Sequence, residues 1–145
     1  MKAMMILMLA ILMLAGCHTA GGNFLETGDQ DLNVQIGRLQ PTGSPGENAD
    51  RNFKIKLVPK GEAILTAKKN ETALMFAMDS CFSLKQSGRQ IYPAMVQQVP
   101  NGVKGTYEYL VIFPTVSLRL KDSVEFRYQD KNISKKSYTL NLLVQ

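Results

Sequence analysis

Asn52-Phe53-Lys54-Ile55-Lys56-Leu57 and, half a chain later, Tyr107-Glu108-Tyr109-Leu110-Val111-Ile112-Phe113 are the stretches on which the fold turns. In the first, Phe53, Ile55 and Leu57 alternate with Asn52, Lys54 and Lys56. Successive side chains leave a strand on opposite sides, so an apolar residue at every second position marks a strand with one buried face and one wet face. The second stretch is apolar on both faces, as an inner strand of a sandwich is, and Pro114 ends it.

The same alternation recurs outward from these two. Leu32, Val34 and Ile36 alternate with polar residues and predict a strand over about 31–39. Pro41, Gly43, Pro45 and Gly46 follow, in a stretch with turn chemistry and nothing to bury, so 41–50 is expected to be the longest exposed loop, either functional or simply mobile. After Pro59-Lys60-Gly61, residues 63–68 are expected to form a third strand. Leu74, Phe76, Met78, Phe82 and Leu84 share one parity, which favours a strand there too; a helix over 72–79 is the competing reading, because Ala, Leu, Met and Glu form helices well. The run Ile91 to Val99 is broken by Pro93, which assigns it to an edge or a bend. Asn101-Gly102 is a hairpin signal. Val116, Leu118 and Leu120, then Val124, Phe126 and Tyr128, then Tyr138, Leu140, Leu142 and Val144 give three more alternating segments. Eight or nine short strands with turns between them predict an all-β chain folded as a single antiparallel β-sandwich over residues 31–145. The pattern resembles, in architecture alone, the immunoglobulin-like sandwiches of bacterial surface lipoproteins; it lacks the paired cysteines and core tryptophan of antibody domains.

Ahead of the domain, Lys2 is the lone charge, Met4 to Ala15 is unbroken apolar sequence, and Leu14-Ala15-Gly16-Cys17 places small residues before a cysteine. A dozen apolar residues rising about 1.5 Å each fall short of a hydrocarbon core of about 30 Å, and suit the apolar region of an export signal. The segment resembles the lipobox of bacterial lipoproteins, in which signal peptidase II cuts before a cysteine whose thiol carries a diacylglycerol. The resemblance covers residues 1–17. It implies a signal peptide over 1–16, cleavage between Gly16 and Cys17, and a covalent diacylglycerol and N-acyl lipid on Cys17, with no other cofactor. Several acyl chains on one residue anchor stably where a single chain does not. His18 follows where an aspartate favours inner-membrane retention, so the outer membrane is expected in a Gram-negative host. On the residues alone, an ordinary secretory signal or an uncleaved apolar helix remains open. Residues 17–30, with Gly21, Gly22 and Gly28, read as a flexible tether, of which about a dozen residues of coil set the domain roughly 20 Å from the bilayer.

Removing 16 of the 145 residues leaves 129, enough for one domain with a real core, and lowers the net charge from +5 to +4. With Cys17 acylated, Cys81 has no partner and is expected to be an inert buried thiol. The single histidine, His18, lies on the tether, so a histidine metal centre or catalytic triad within the domain is excluded, and no phosphate loop, HExxH or GxSxG occurs. Catalysis and metal binding are therefore not expected. Met75, Met78 and Cys81 can converge as soft ligands only if their segment is helical. Lys54, Lys56, Arg119 and Lys121 occupy exposed parities and form a basic face if their strands lie side by side. Tyr107, Tyr109, Tyr128 and Tyr138 are read as half-buried sheet residues or aromatic contacts for a partner.

Two functions follow as expectations. One is a non-catalytic structural or assembly role at an envelope membrane, in which a strand edge or loop binds another envelope protein, as in a secretion system or surface complex. The other is a binding module for an anionic glycan or lipid on the basic face. Nucleic acid is not an expected partner.

Overall fold

The computed structural model describes residues 24–39, 51–114 and 124–142. Nine strands carry the fold: β1 (Phe24–Gly28), β2 (Leu32–Leu39), β3 (Arg51–Pro59), β4 (Phe82–Gln86), β5 (Arg89–Ile91), β6 (Met95–Val99), β7 (Tyr107–Phe113), β8 (Val124–Gln129) and β9 (Ser137–Leu142). They form two antiparallel sheets, a five-stranded one in the order β1-β2-β3-β7-β6 and a four-stranded one in the order β5-β4-β8-β9. This is an all-β sandwich, as the alternation predicts. Its strand order is its own: β1, β2 and β3 are consecutive neighbours, whereas immunoglobulin domains place their third strand in the opposite sheet.

The inward parities of both sheets meet in one core. Phe53, Ile55 and Leu57 of β3 and Tyr107, Tyr109, Val111 and Phe113 of β7 face Phe82, Leu84, Phe126 and Tyr128 across the sandwich. Phe82 is the hub, with ring centroids 5.6 Å from Tyr109 in the opposite sheet, 6.2 Å from Phe126 and 5.2 Å from Tyr128. The tyrosines are more buried than expected. Tyr109 donates its hydroxyl to the Leu74 carbonyl at 2.8 Å and Tyr128 to Asp130 Oδ1 at 2.9 Å, so each ring is buried while its polar end is satisfied. They anchor the core, and the aromatic-contact reading of these four residues is set aside.

Three expectations need correction. Residues 63–68 form not a strand but the helix α1 (Ala63–Lys69), and residues 72–79 yield to their competing reading as α2 (Glu71–Phe76), followed by a 3-10 turn at Asp79–Cys81. Ala63 and Ala67, four apart, turn one helical face inward while Ile64 and Leu65 face out, and Lys68 and Lys69 complement the negative C-terminal end of the dipole. In α2 the shared parity misleads: Leu74 and Met78 are buried, but Phe76 between them is 79% exposed. Third, the tether prediction for 17–30 runs too far, because Phe24–Gly28 is strand β1. Phe24 lies over Gly37, where an added Cβ would stand 2.4 Å from a ring carbon, so a larger residue there would displace the exposed Phe24 ring from its seat. The Ile91–Val99 run lies at sheet edges as expected, as two edge strands in different sheets with Pro93 in the link between them. The 41–50 loop, the strand expected around Val116 to Leu120 and the end of the last strand at Val144 lie outside the described residues.

Truncating Phe82→Ala removes the hub ring and is expected to cost about 3–5 kcal/mol. Urea unfolding followed by circular dichroism measures it; a loss below about 1 kcal/mol would show that the sheets do not depend on this contact.

Candidate functional site

Lys54 and Lys56 stand on the outward face of β3, as their parity requires. The register places Glu108 of β7 directly beside Lys56, and Lys54 reaches it diagonally, Nζ to Oε2 at 2.8 Å. Glu108 is buried. Burial pushes its carboxyl up, but the hydrogen bond and charge of Lys54, with Asn101 and Lys56, pull it down further, and it titrates below its ordinary value. On the other flank, Glu26 of β1 accepts hydrogen bonds from Asn33 and Gln35, the latter being the register neighbour of Lys56. The described half of the expected basic face is thus a mixed row of charge, with acids on both sides of Lys56. Arg119 and Lys121 lie outside the described residues, as do Gly16 and Cys17, the expected cleavage and lipidation positions.

A different surface is more open. β6 is the outer strand of the five-stranded sheet, paired with β7 on one side and, among the described residues, with nothing on the other. Met95-Val96-Gln97-Gln98-Val99 carries no charge, the commonest protection of a free edge, and is limited only by Pro93 and Pro100 at its flanks. Met95, Gln97 and Val99 are exposed on the outer face. Val96 and Gln98 turn inward and, with Met75, Phe76, Met78, Asp79 and Tyr109, line a groove of about 170 Å³. The Tyr109 hydroxyl, bonded to the Leu74 carbonyl, holds the end of α2 against this edge and leaves Phe76 standing at the lip. The edge itself is foreshadowed by Pro93. The groove is hidden from sequence because its other wall is a helix read as a strand.

Met78 and Cys81 face the core, where Asn132 Nδ2 lies 3.5 Å from the Met78 sulfur, while Met75 is exposed at the groove. Burial pushes the Cys81 thiol up, with Asp130 and Asp79 adding to the rise against Lys131, which makes it a poor nucleophile.

The strongest shifts belong to a polar clamp at the end of the sandwich where β1 turns into β2. Asp130 is buried just beyond β8. Its Oδ1 accepts from the Tyr128 hydroxyl and from the amides of Asn132 at 3.0 Å and Ile133 at 3.1 Å; its Oδ2 accepts from the Ser134 amide, from the Ser134 hydroxyl at 2.8 Å and from the Lys135 amide at 3.2 Å. Burial pushes this carboxyl up and these donors outweigh it, leaving it below its usual value. Beside it, Lys136 Nζ bridges Asp29 Oδ2 at 2.7 Å and Asp31 Oδ2 at 2.6 Å, and the Tyr138 hydroxyl donates to Asp29 at 3.2 Å. Lys136 holds the Asp29 carboxyl far below the carboxylate range, with the Asp31 amide assisting. Clustered shifts of this kind often mark catalytic centres. Here both oxygens of Asp130 are fully engaged by donors of the chain itself, so the cluster joins the β1–β2 turn to the β8–β9 hairpin and has no lone pair to spare for a substrate.

Comparison of the chain with family models, with curated proteins and with solved structures gave no match.

Asp130→Ala strands four backbone amides, those of Asn132, Ile133, Ser134 and Lys135, and is expected to cost on the order of 3 kcal/mol. Asp29 and Asp130 both titrate lower in the folded chain than in the unfolded one, so the native state binds fewer protons in that interval and stability falls as the pH drops through it. The urea midpoint is expected to hold from neutral pH to about 5 and to fall below about 4, less steeply in Asp130→Asn. A midpoint unchanged down to about pH 3 would contradict the clamp.

Proposed function

We propose that the protein is a lipid-anchored envelope protein that works by binding: acylated at Cys17 and held at a bacterial membrane, it docks another envelope protein along β6. The observation that carries the reading is the uncharged edge of β6, unpaired among the described residues, beside the groove under Phe76. An extended segment paired with such an edge gains backbone hydrogen bonds, while its alternate side chains enter the groove; the first supplies affinity and the second selectivity. The occupant this geometry fits is a strand with apolar side chains at every second position. Leu14-Ala15-Gly16-Cys17 supports the anchor, and the engagement of the shifted acids in structural bonds supports binding over catalysis. His18 after the cysteine favours the outer membrane. The partner is a component of a secretion or surface assembly, in which a small anchored sandwich holds a larger protein at the membrane. Glu108 and Glu26 beside the lysines of β3 argue against an anionic glycan or lipid as the main ligand on that face.

Cross-linking in intact host cells, with mass spectrometry of adducts on the lipidated chain, tests the proposal. The expected result is one protein whose cross-links map to β6 and which is lost in Gln97→Lys and in Phe76→Asp, both at exposed positions, but kept in Lys54→Glu. Loss in Lys54→Glu alone, with binding that weakens steeply in salt, would instead favour the anionic ligand. Cys17→Ser is expected to release the protein from the membrane and abolish lipid labelling; unchanged retention would refute the anchor.

A further inference from the structure

We infer that the groove beside β6 takes up one lysine or arginine side chain of the docked strand and pairs its cationic head with Asp79. The inference rests on the docking along β6 proposed above and adds to it the chemistry of one residue of the partner.

The groove has two kinds of wall. Met75, Phe76 and Val96 are apolar, whereas Asp79 and Gln98 bring a carboxylate and an amide, and Tyr109 is the third polar residue; all of them lie in α2, the 3-10 turn after it, β6 or β7. The Tyr109 hydroxyl is already committed to the Leu74 carbonyl. Asp79 is not committed. Its side chain is exposed and enters none of the salt bridges or side-chain hydrogen bonds formed among the described residues. Lys131 donates its ammonium to the hydroxyl of the next residue, Ser80, at 2.7 Å and forms no salt bridge with Asp79. Gln98, half-buried, likewise makes no side-chain hydrogen bond among the described residues.

An extended segment laid along β6 shuts water out of the groove, and the polar wall then decides what can enter. A wholly apolar side chain would strip the Asp79 carboxylate and the Gln98 amide of water and give nothing back, and burying an unpaired charge is among the costliest changes a surface can undergo. A second carboxylate would add repulsion. A long cation satisfies both walls. Its methylene stem lies along Met75, Phe76 and Val96, its head donates to Asp79 and to the Gln98 side-chain oxygen, and the ring of Phe76, 79% exposed, offers its face to the same charge. The size agrees: about 170 Å³ lies below the roughly 300–1,000 Å³ of small-molecule pockets and suits a single side chain better than a free ligand. Such a residue also sets alignment. A strand of alternating apolar residues slides by two positions with little penalty, whereas a cation that is satisfied only at Asp79 fixes the register.

The test uses the full chain in detergent micelles and fluorescein-labelled peptides of the form Thr-Val-Thr-X-Thr-Val-Thr, in which X shares its parity with the two valines and is lysine, arginine, leucine or glutamate. Fluorescence anisotropy is expected to rank lysine and arginine roughly tenfold tighter than leucine, with glutamate weakest. The chain as a whole is basic, at +5, so non-specific attraction would favour glutamate instead. Asp79→Asn is expected to bring the cationic peptides down to the leucine level. Asp79→Lys is expected to turn the ranking round in favour of glutamate, a reversal that a merely structural role of Asp79 would not produce. Gln97→Lys, on the outer face of β6, is expected to weaken all the peptides together. A leucine peptide that binds as tightly as the lysine one, or a preference for cations that survives Asp79→Asn, would overturn the pocket. Absence of binding by every peptide, or binding unchanged by Gln97→Lys, would instead overturn the docking along β6, so the two failures are distinguishable.

Discussion

Everything in this molecule depends on two sheets sharing one layer of apolar side chains. Phe82 touches Tyr109 in the opposite sheet and Phe126 and Tyr128 in its own, and Phe53 lies 6.4 Å from Phe126 across the interface. Cys81 is buried as a free thiol, so this packing, and not a cross-link through that residue, holds the described sheets together. A core rich in tyrosine sets a second condition, because each buried hydroxyl needs an acceptor. Tyr109 finds one in α2 and Tyr128 in Asp130. The helical excursion and the β8–β9 hairpin are thereby fixed to the core by the polar ends of its own aromatic residues.

Two surfaces of the sandwich have divided labour. At the end where β1 turns into β2, charge is consumed internally: Asp29, Asp31, Asp130 and Lys136 satisfy one another and the backbone around them. Along β6, among the described residues, apolar groups and backbone are left without a partner strand. Surfaces that a fold does not close are where partners gain most, because the cost of ordering them has already been met by the rest of the structure. The mixed charge row over β3 and β7 falls between these extremes, and its proximity to balance makes it a solvated face.

The strands were legible wherever both parities kept to their side, as in β2, β3 and β8. The failures have physical reasons. Leu74 and Met78 lie four apart, a spacing that satisfies a period of two as well as a helical turn, so parity alone could not separate the readings; the helix-forming composition of Ala73, Leu74 and Met75 was the better guide. β1 was missed because two apolar residues among glycines make a weak signal, and its support comes from Gly37, distant in sequence. The pairing of Lys54 with Glu108 depends on register between strands over fifty residues apart, which local pattern does not contain. The clamp was invisible for the same reason: Asp29 and Lys136 meet only after the sheets close.

The way β1 joins the sheet also has a mechanical meaning. Its first residue, Phe24, is where the preceding residues join the sheet. A pull on that residue along the strand axis slides β1 lengthwise against β2 and loads its five register pairs together, whereas a pull across the axis opens them one after another. Phe24, seated over Gly37, adds a catch at the point where the force enters. How firmly β1 holds is therefore a matter of the direction in which it is pulled.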